Sequence, residues 1–155
     1  MPAKPQVNVK NASLAKRDDY SAVLARIIKE GRCPFCEENL FTHHRKPLLF
    51  KTKYWLVTEN AWPYKGTKHH FLLIARVHVE KSEQLPAGAW EDLGRAYKKL
   101  TTIYKIPGAS LLMRSGDMKR TGATVRHLHA QVIMGVPHGK DTTSINALVA
   151  FAKKK

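Results

Sequence analysis

The stretch VRHLHAQVIMG, residues 125–135, constrains this chain more than any other. Side chains on a strand alternate between faces with a period of two. Read so, Leu128, Ala130, Val132 and Met134 share an apolar face, and His127, His129, Gln131 and Ile133 share the opposite one. The apolar face requires a sheet with a core packed on it. Two imidazoles and an amide in line on the other face are costly to bury unless each is hydrogen-bonded or used chemically.

The approach to this strand favours chemistry. SGDMKRTGAT (residues 115–124) is a polar loop carrying Ser115, Gly116, Gly122 and Thr124. Glycines let a backbone come close to a phosphate, and hydroxyls and N–H groups bind its oxygens. Lys119, Arg120 and Arg126 add positive charge. An imidazole beside such a cradle suits phosphoryl or nucleotidyl transfer. Histidines hydrogen-bonded in a core remain the competing structural reading.

The rest of the chain supplies a sheet and its cover. Residues 1–17 read as an irregular basic arm, and residues 18–155 as one domain. Asp18 or Asp19 caps a helix through SAVLARIIKEG that stops at Gly31. PLLF (47–50), YWLVTE (54–59), HFLLIARVHV (70–79) and SLLMR (110–114) read as strands. Residues 86–104 give the clearest helix, with Trp90, Leu93, Tyr97, Leu100 and Tyr104 at gaps of three and four. SINALVAFAKKK predicts a short final helix. The sum is an α+β fold: about five mostly antiparallel strands, one long helix and short flanking helices.

Lys and Arg number 27 against 12 Asp and Glu, a formal net charge of +15. That surplus favours anionic partners, such as nucleotides or nucleic acid. The basic residues are spread along the chain, against a dedicated nucleic-acid tail. No apolar run has the length of a membrane span, and MPAKPQVNVK has no apolar signal core. The two cysteines both lie in CPFC, so no disulfide framework is expected and a cytoplasmic, reducing location is.

On three pieces the sequence resembles the histidine triad (HIT) superfamily: VRHLHAQVI, NAWPYKGTKHHFLLIARVHV and CPFC, in the family's order and approximate spacing. The resemblance implies the HIT-like fold and a nucleotidyltransferase or phosphorylase reaction. His129 would attack the α-phosphorus of a nucleotide, with its other ring nitrogen held by the carbonyl of His127. A second nucleophile would then take the nucleotide. Gln131 stands where hydrolase members usually carry a third histidine. An amide cannot act as a general acid at ordinary pH; it can only hydrogen-bond phosphate oxygens. H-x-H-x-Q thus resembles the branch containing galactose-1-phosphate uridylyltransferase and the dinucleoside polyphosphate phosphorylases. A hydrolase that drifted at one position is the alternative within enzymes. A non-catalytic nucleotide- or nucleic-acid-binding protein is the alternative outside them.

CPFC also resembles a glutaredoxin redox pair, but it follows a helix and a Gly-Arg turn, without βαβ context. The family resemblance implies instead a structural zinc held by Cys33, Cys36, His78 and His127. His43, His44, His69 and His70 are the rival histidines. On the nucleotide side, it implies ribose contacts from Glu59 or Asn60 and phosphate contacts from Gly122 and Thr124. Ser115 or Asp117 stands in for an Asn that the family often carries at the start of the loop. An adenine nucleotide is the implied substrate, and a homodimer the implied assembly.

Overall fold

The structure is a computed structural model that describes residues 4–14 and 18–154. Its elements run α1 (Val9–Leu14), α2 (Asp18–Glu30), α3 (Leu40–His43), β1 (Leu48–Lys51), β2 (Trp55–Glu59), β3 (His69–Ala75), α4 (Ala89–Ile103), β4 (Ser110–Met113), α5 (Met118–Thr121) and β5 (His129–Met134). The five strands form one sheet in the order β1-β2-β3-β5-β4, with every neighbouring pair antiparallel.

Both faces of this sheet are covered, which explains the near-continuous apolar run of β3. Phe71, Leu73 and Ala75 face α4, together with Trp55, Val57, Leu128, Ala130 and Val132. The alternate residues Leu72 and Ile74 face α1, α2 and the CPFC loop, with Leu24, Ile27 and Phe35. Cross-strand pairing puts Gln131 opposite Leu72 and His129 opposite Ile74. His129 and Gln131 therefore lie on the second face, as the alternation predicts, while His127, read as part of the same strand, falls in a bend before it because β5 begins only at His129.

α2 ends at Gly31, whose φ of +68° closes the helix in the left-handed region. The Asp18/Asp19 cap falls outside the described side chains. α4 buries Ala89, Leu93, Ala96 and Leu100. Trp90, expected on that stripe, is exposed, because it sits about 100° round the helix from Ala89, which takes the inward position. Asp92 staples α4 to the β1–β2 turn by accepting from Thr52 Oγ1 at 2.7 Å and Tyr54 N at 2.9 Å.

Four expectations need correction. The arm expected to be irregular carries α1. Asn11, buried there, donates to the carbonyls of Met118 at 2.9 Å and Ala123 at 2.7 Å, tying the arm to the loop before β5. That loop is not wholly irregular, since it contains α5. The strand expected to reach Val79 ends at Ala75, where the ladder passes into Leu128 N–H donating to Val79 O at 2.8 Å. Finally, no helix forms from residue 144 onward among the described residues. The carbonyl of Leu148 is taken by Arg114 rather than by a helical N–H. No described helix is long and apolar enough to cross a membrane.

Candidate active site and metal centre

The cavity on the second face is lined by Tyr20, Phe35, Asn60, Tyr64, Arg114, Gly122, Thr124, His129, Gln131 and Leu148, among others. β5 supplies His129 and Gln131 from rigid sheet, and the 115–124 loop supplies Gly122 and Thr124. Gly122 has φ +74°, a conformation that disfavours any residue with a Cβ.

His129 is pinned at both ends of its ring environment. Its Nδ1 lies 2.7 Å from the carbonyl oxygen of His127. A carbonyl only accepts, so Nδ1 carries the proton and Nε2 keeps the lone pair. Phe35 packs edge-on against the ring, with centroids 5.0 Å apart and planes at 89°. Position and tautomer are thus set by the strand itself and by the residue between the two cysteines.

Gln131 is oriented by a residue that sequence reasoning considered only as a rival metal ligand. His70 Nδ1 accepts from Tyr64 N–H at 3.1 Å, so His70 Nε2 carries the proton and donates to Gln131 Oε1 at 2.8 Å. The Gln131 carbonyl end is therefore committed, and its NH2 end is the one left to meet an anion. His70 is the second residue of β3 and pairs with Ile133 of β5, a cross-strand register that the sequence alone does not reveal.

The other expected contacts divide. Asn60 lines the cavity, although its Oδ1 already accepts from Trp62 N–H at 2.9 Å. Glu59 does not line it; its carboxylate pairs with Lys46 at 3.1 Å beside a separate surface groove. Ser115 also lies elsewhere, accepting from Ser82 N–H at 2.8 Å, and Asp117 caps α5 through Lys119 N. Arg114, which the sequence reading left as the end of a strand, does line the cavity.

Beneath the same strand, Cys33, Cys36, His78 and His127 bring one ligand atom each to within 4.8 Å of one another. Cys33 Sγ lies 3.3 Å from His127 Nδ1, and Cys36 Sγ lies 3.4 Å from His78 Nδ1. A tetrahedral zinc with bonds near 2.3 Å to sulfur and 2.0 Å to nitrogen needs S···N separations of about 3.5 Å. The donor set fits. His127 Nε2 donates to Ala75 O at 2.6 Å, which turns the Nδ1 lone pair toward the thiols. Burial lowers the His127 pKa to about 4, so the ring is neutral at physiological pH. Burial also raises the Cys33 thiol and pushes Cys36 up to about 12, aided by Cys33. Without a cation both sulfurs stay protonated. The peel-off of residues 76–79 from the sheet is what delivers His78. The rivals His43 and His44 instead partner Glu30 and Thr58.

No family model matches the sequence, and no curated protein does. Solved structures do. A HIT family hydrolase from Clostridium thermocellum superposes with a TM-score of 0.55 at 20% identity, covering 72% of this chain and 97% of that one. The chain has the histidine triad fold. A histidine triad nucleotide-binding protein from Candida albicans matches at 0.55 and 22% identity, covering 73% of this chain and 87% of that one. A Zn-bound histidine triad family protein from Mycobacterium smegmatis matches at 0.55 and 15% identity, with coverages of 74% and 82%.

Proposed function

We propose that this protein is a nucleotidyltransferase or phosphorylase that works through a covalent nucleotidyl-His129 intermediate. The observation that carries the reading is the pinned His129: its Nδ1–H is held by the His127 carbonyl and its Nε2 is the nucleophilic nitrogen. Nε2 attacks the α-phosphorus, an N–P bond forms, and the P–O bond to the leaving phosphate breaks. Positive charge on the imidazole is stabilised through Nδ1–H by the His127 carbonyl. In the second half an acceptor phosphate oxygen attacks phosphorus, and the N–P bond returns its electrons to a neutral His129. Gln131, held by His70, donates to phosphate oxygens and supplies no proton. Leaving groups stable as anions need none. The nucleotide-processing reading is also supported by the hydrolase and nucleotide-binding histidine triad proteins that share the fold. Asn60, Gly122 and Thr124 bind the nucleotide.

Intact mass spectrometry after mixing with a dinucleoside polyphosphate tests this. A nucleoside monophosphate mass should appear on the protein and disappear when inorganic phosphate is supplied. Steady turnover to the monophosphate in water, unaffected by phosphate, would instead make the protein a hydrolase.

Cys33, Cys36, His78 and His127 hold a structural zinc in this reading; a bound metal there would tie β5 to the CPFC loop. The protein also forms a homodimer through β4. That strand is one of the sheet's two edges, and Leu111 on it is exposed together with Trp90 and Ile103. Light scattering should give twice the 17.5 kDa chain mass, and Leu111→Asp should return the monomer. An unchanged mass in that variant would place the interface elsewhere.

A further inference from the structure

The cavity around His129 is assembled but nearly full. Its free volume is about 40 Å³. That holds two or three waters, whereas sites for small molecules measure about 300–1,000 Å³. One of the side chains that narrow it, Leu148, comes from the C-terminal segment. Residues 142–154 run in an irregular strap, and Leu148 projects into the cavity. A Cβ on Gly122 would lie only 2.6 Å from Leu148 Cγ. The strap thus occupies the close approach that a glycine in the left-handed conformation leaves open.

The strap is held by Arg114. Its Nε donates to the Leu148 carbonyl at 2.8 Å, and its Nη2 donates to the same oxygen. Nη2 also donates to the Tyr64 hydroxyl at 3.1 Å. No carboxylate among the described residues lies within ion-pair distance of this guanidinium. Among the described residues, Arg114 is also the one Lys or Arg side chain lining the cavity. A guanidinium fork matches the paired oxygens of a phosphate. Here both arms converge on a single neutral carbonyl. The register that sets Met113 opposite Ala130 brings Arg114 level with His129 on the neighbouring strand.

We infer that Arg114 is the ligand for a second phosphate of the substrate, and that the C-terminal strap plugs this seat until that phosphate displaces the Leu148 carbonyl. The inference rests on the nucleotide reading of the His129 pocket and deepens it. Gln131, Gly122 and Thr124 serve the phosphate attacked by His129, and Arg114 serves its neighbour. The substrate class is a nucleoside with two or more linked phosphates. Arg114 also meets the charge that develops on the leaving phosphate. A nucleoside monophosphate must open the strap without a group to replace Leu148 on Arg114, so it binds poorly.

Calorimetric titration of AMP, ADP, UMP and UDP tests this, on full-length protein carrying His129→Ala so that nothing turns over. Diphosphates should bind about tenfold more tightly than monophosphates, since a charge-assisted bidentate contact is gained. Arg114→Gln should reduce that preference to within about twofold while monophosphate affinity holds or rises, because the strap is loosened. Leu148→Gly should tighten both classes about fivefold or more by removing the plug. Circular dichroism and metal content control for folding. Equal weakening of mono- and diphosphates by Arg114→Gln would make Arg114 a scaffold residue and overturn the inference. So would unchanged affinities in Leu148→Gly. If neither nucleotide pair binds any variant, the nucleotide reading of the pocket falls as well. If the binding pattern holds but the His129 protein forms no adduct, only the covalent reading fails.

Discussion

His129→Ala abolishes nucleotidyl-protein formation, and transfer falls by on the order of 10⁴-fold or more, the scale seen when a covalent nucleophile is removed. The side chains on which the reaction depends are otherwise left in place. Gln131 keeps its bond from His70, Gly122 keeps its conformation, and the metal ligands are untouched. The stability cost is modest. The variant loses one hydrogen bond to the His127 carbonyl and the edge contact of Phe35, together about 1–3 kcal/mol. Intact mass under substrate, rapid-quench transfer assays and a thermal melt together separate chemistry from folding. A variant that still carries the nucleotide mass would place the nucleophile elsewhere, and no other imidazole lines that cavity among the described residues. A variant that melts far below the parent would show His129 to be a packing residue whose loss says nothing of mechanism.

The parts of this site that were legible in the sequence are those whose geometry is local. Period-two alternation places His129 and Gln131 on one face of β5, whereas His127 lies in the bend before that strand and is placed by its contacts with Ala75 O and the cysteines. The Cys33–Cys36 spacing leaves a redox pair and a metal pair open, and the family resemblance implies a metal set of Cys33, Cys36, His78 and His127, which the fold brings together. The parts that were missed depend on pairings distant in sequence. His70 is 61 positions from Gln131, and nothing in H-H-F-L-L says which histidine faces the amide. Arg114 reads as the end of a strand until the tail is seen lying across it. The tail reads as a helix by composition, but Leu148 makes contacts with Gly122 and Arg114 that a helix would forfeit. The arm read as irregular for the same reason: Asn11 finds its partners at Met118 and Ala123, more than a hundred residues away. Glu59 shows the limit of motif transfer. Its neighbour Asn60 turns into the cavity, and Glu59 turns outward to Lys46.

Cys33→Ser removes the metal and lowers the melting temperature. With zinc at about a thousandfold over its Kd, binding to the folded state alone contributes about 4 kcal/mol. For a chain of this size that corresponds to about 8–16 °C. Chelation of the parent should give a similar loss, and elemental analysis should fall from one zinc per chain toward zero. The pH dependence has a definite sign. In the metal-free protein, burial holds His127 near pKa 4, while an unfolded chain titrates its imidazole near 6.5. Between those values the unfolded state binds a proton that the folded state refuses, so metal-free stability declines as pH falls from about 6.5 toward 4. Zinc binding weakens over the same fall, because protons compete for both thiolates and both imidazoles. Metal and pH therefore act together: the zinc-loaded protein should lose stability on acidification more steeply than Cys33→Ser does. Zinc content and melting temperature that are both unchanged in Cys33→Ser would remove the metal from the account. The His127 carbonyl would then be held in place for His129 by packing and by the His127 Nε2 bond to Ala75 O. A melting temperature that drops while activity per folded molecule survives would show the knuckle to be a staple. Loss of activity in protein that remains folded would show that the Phe35 contact and the His127 carbonyl need the metal to stay in register with the nucleophile.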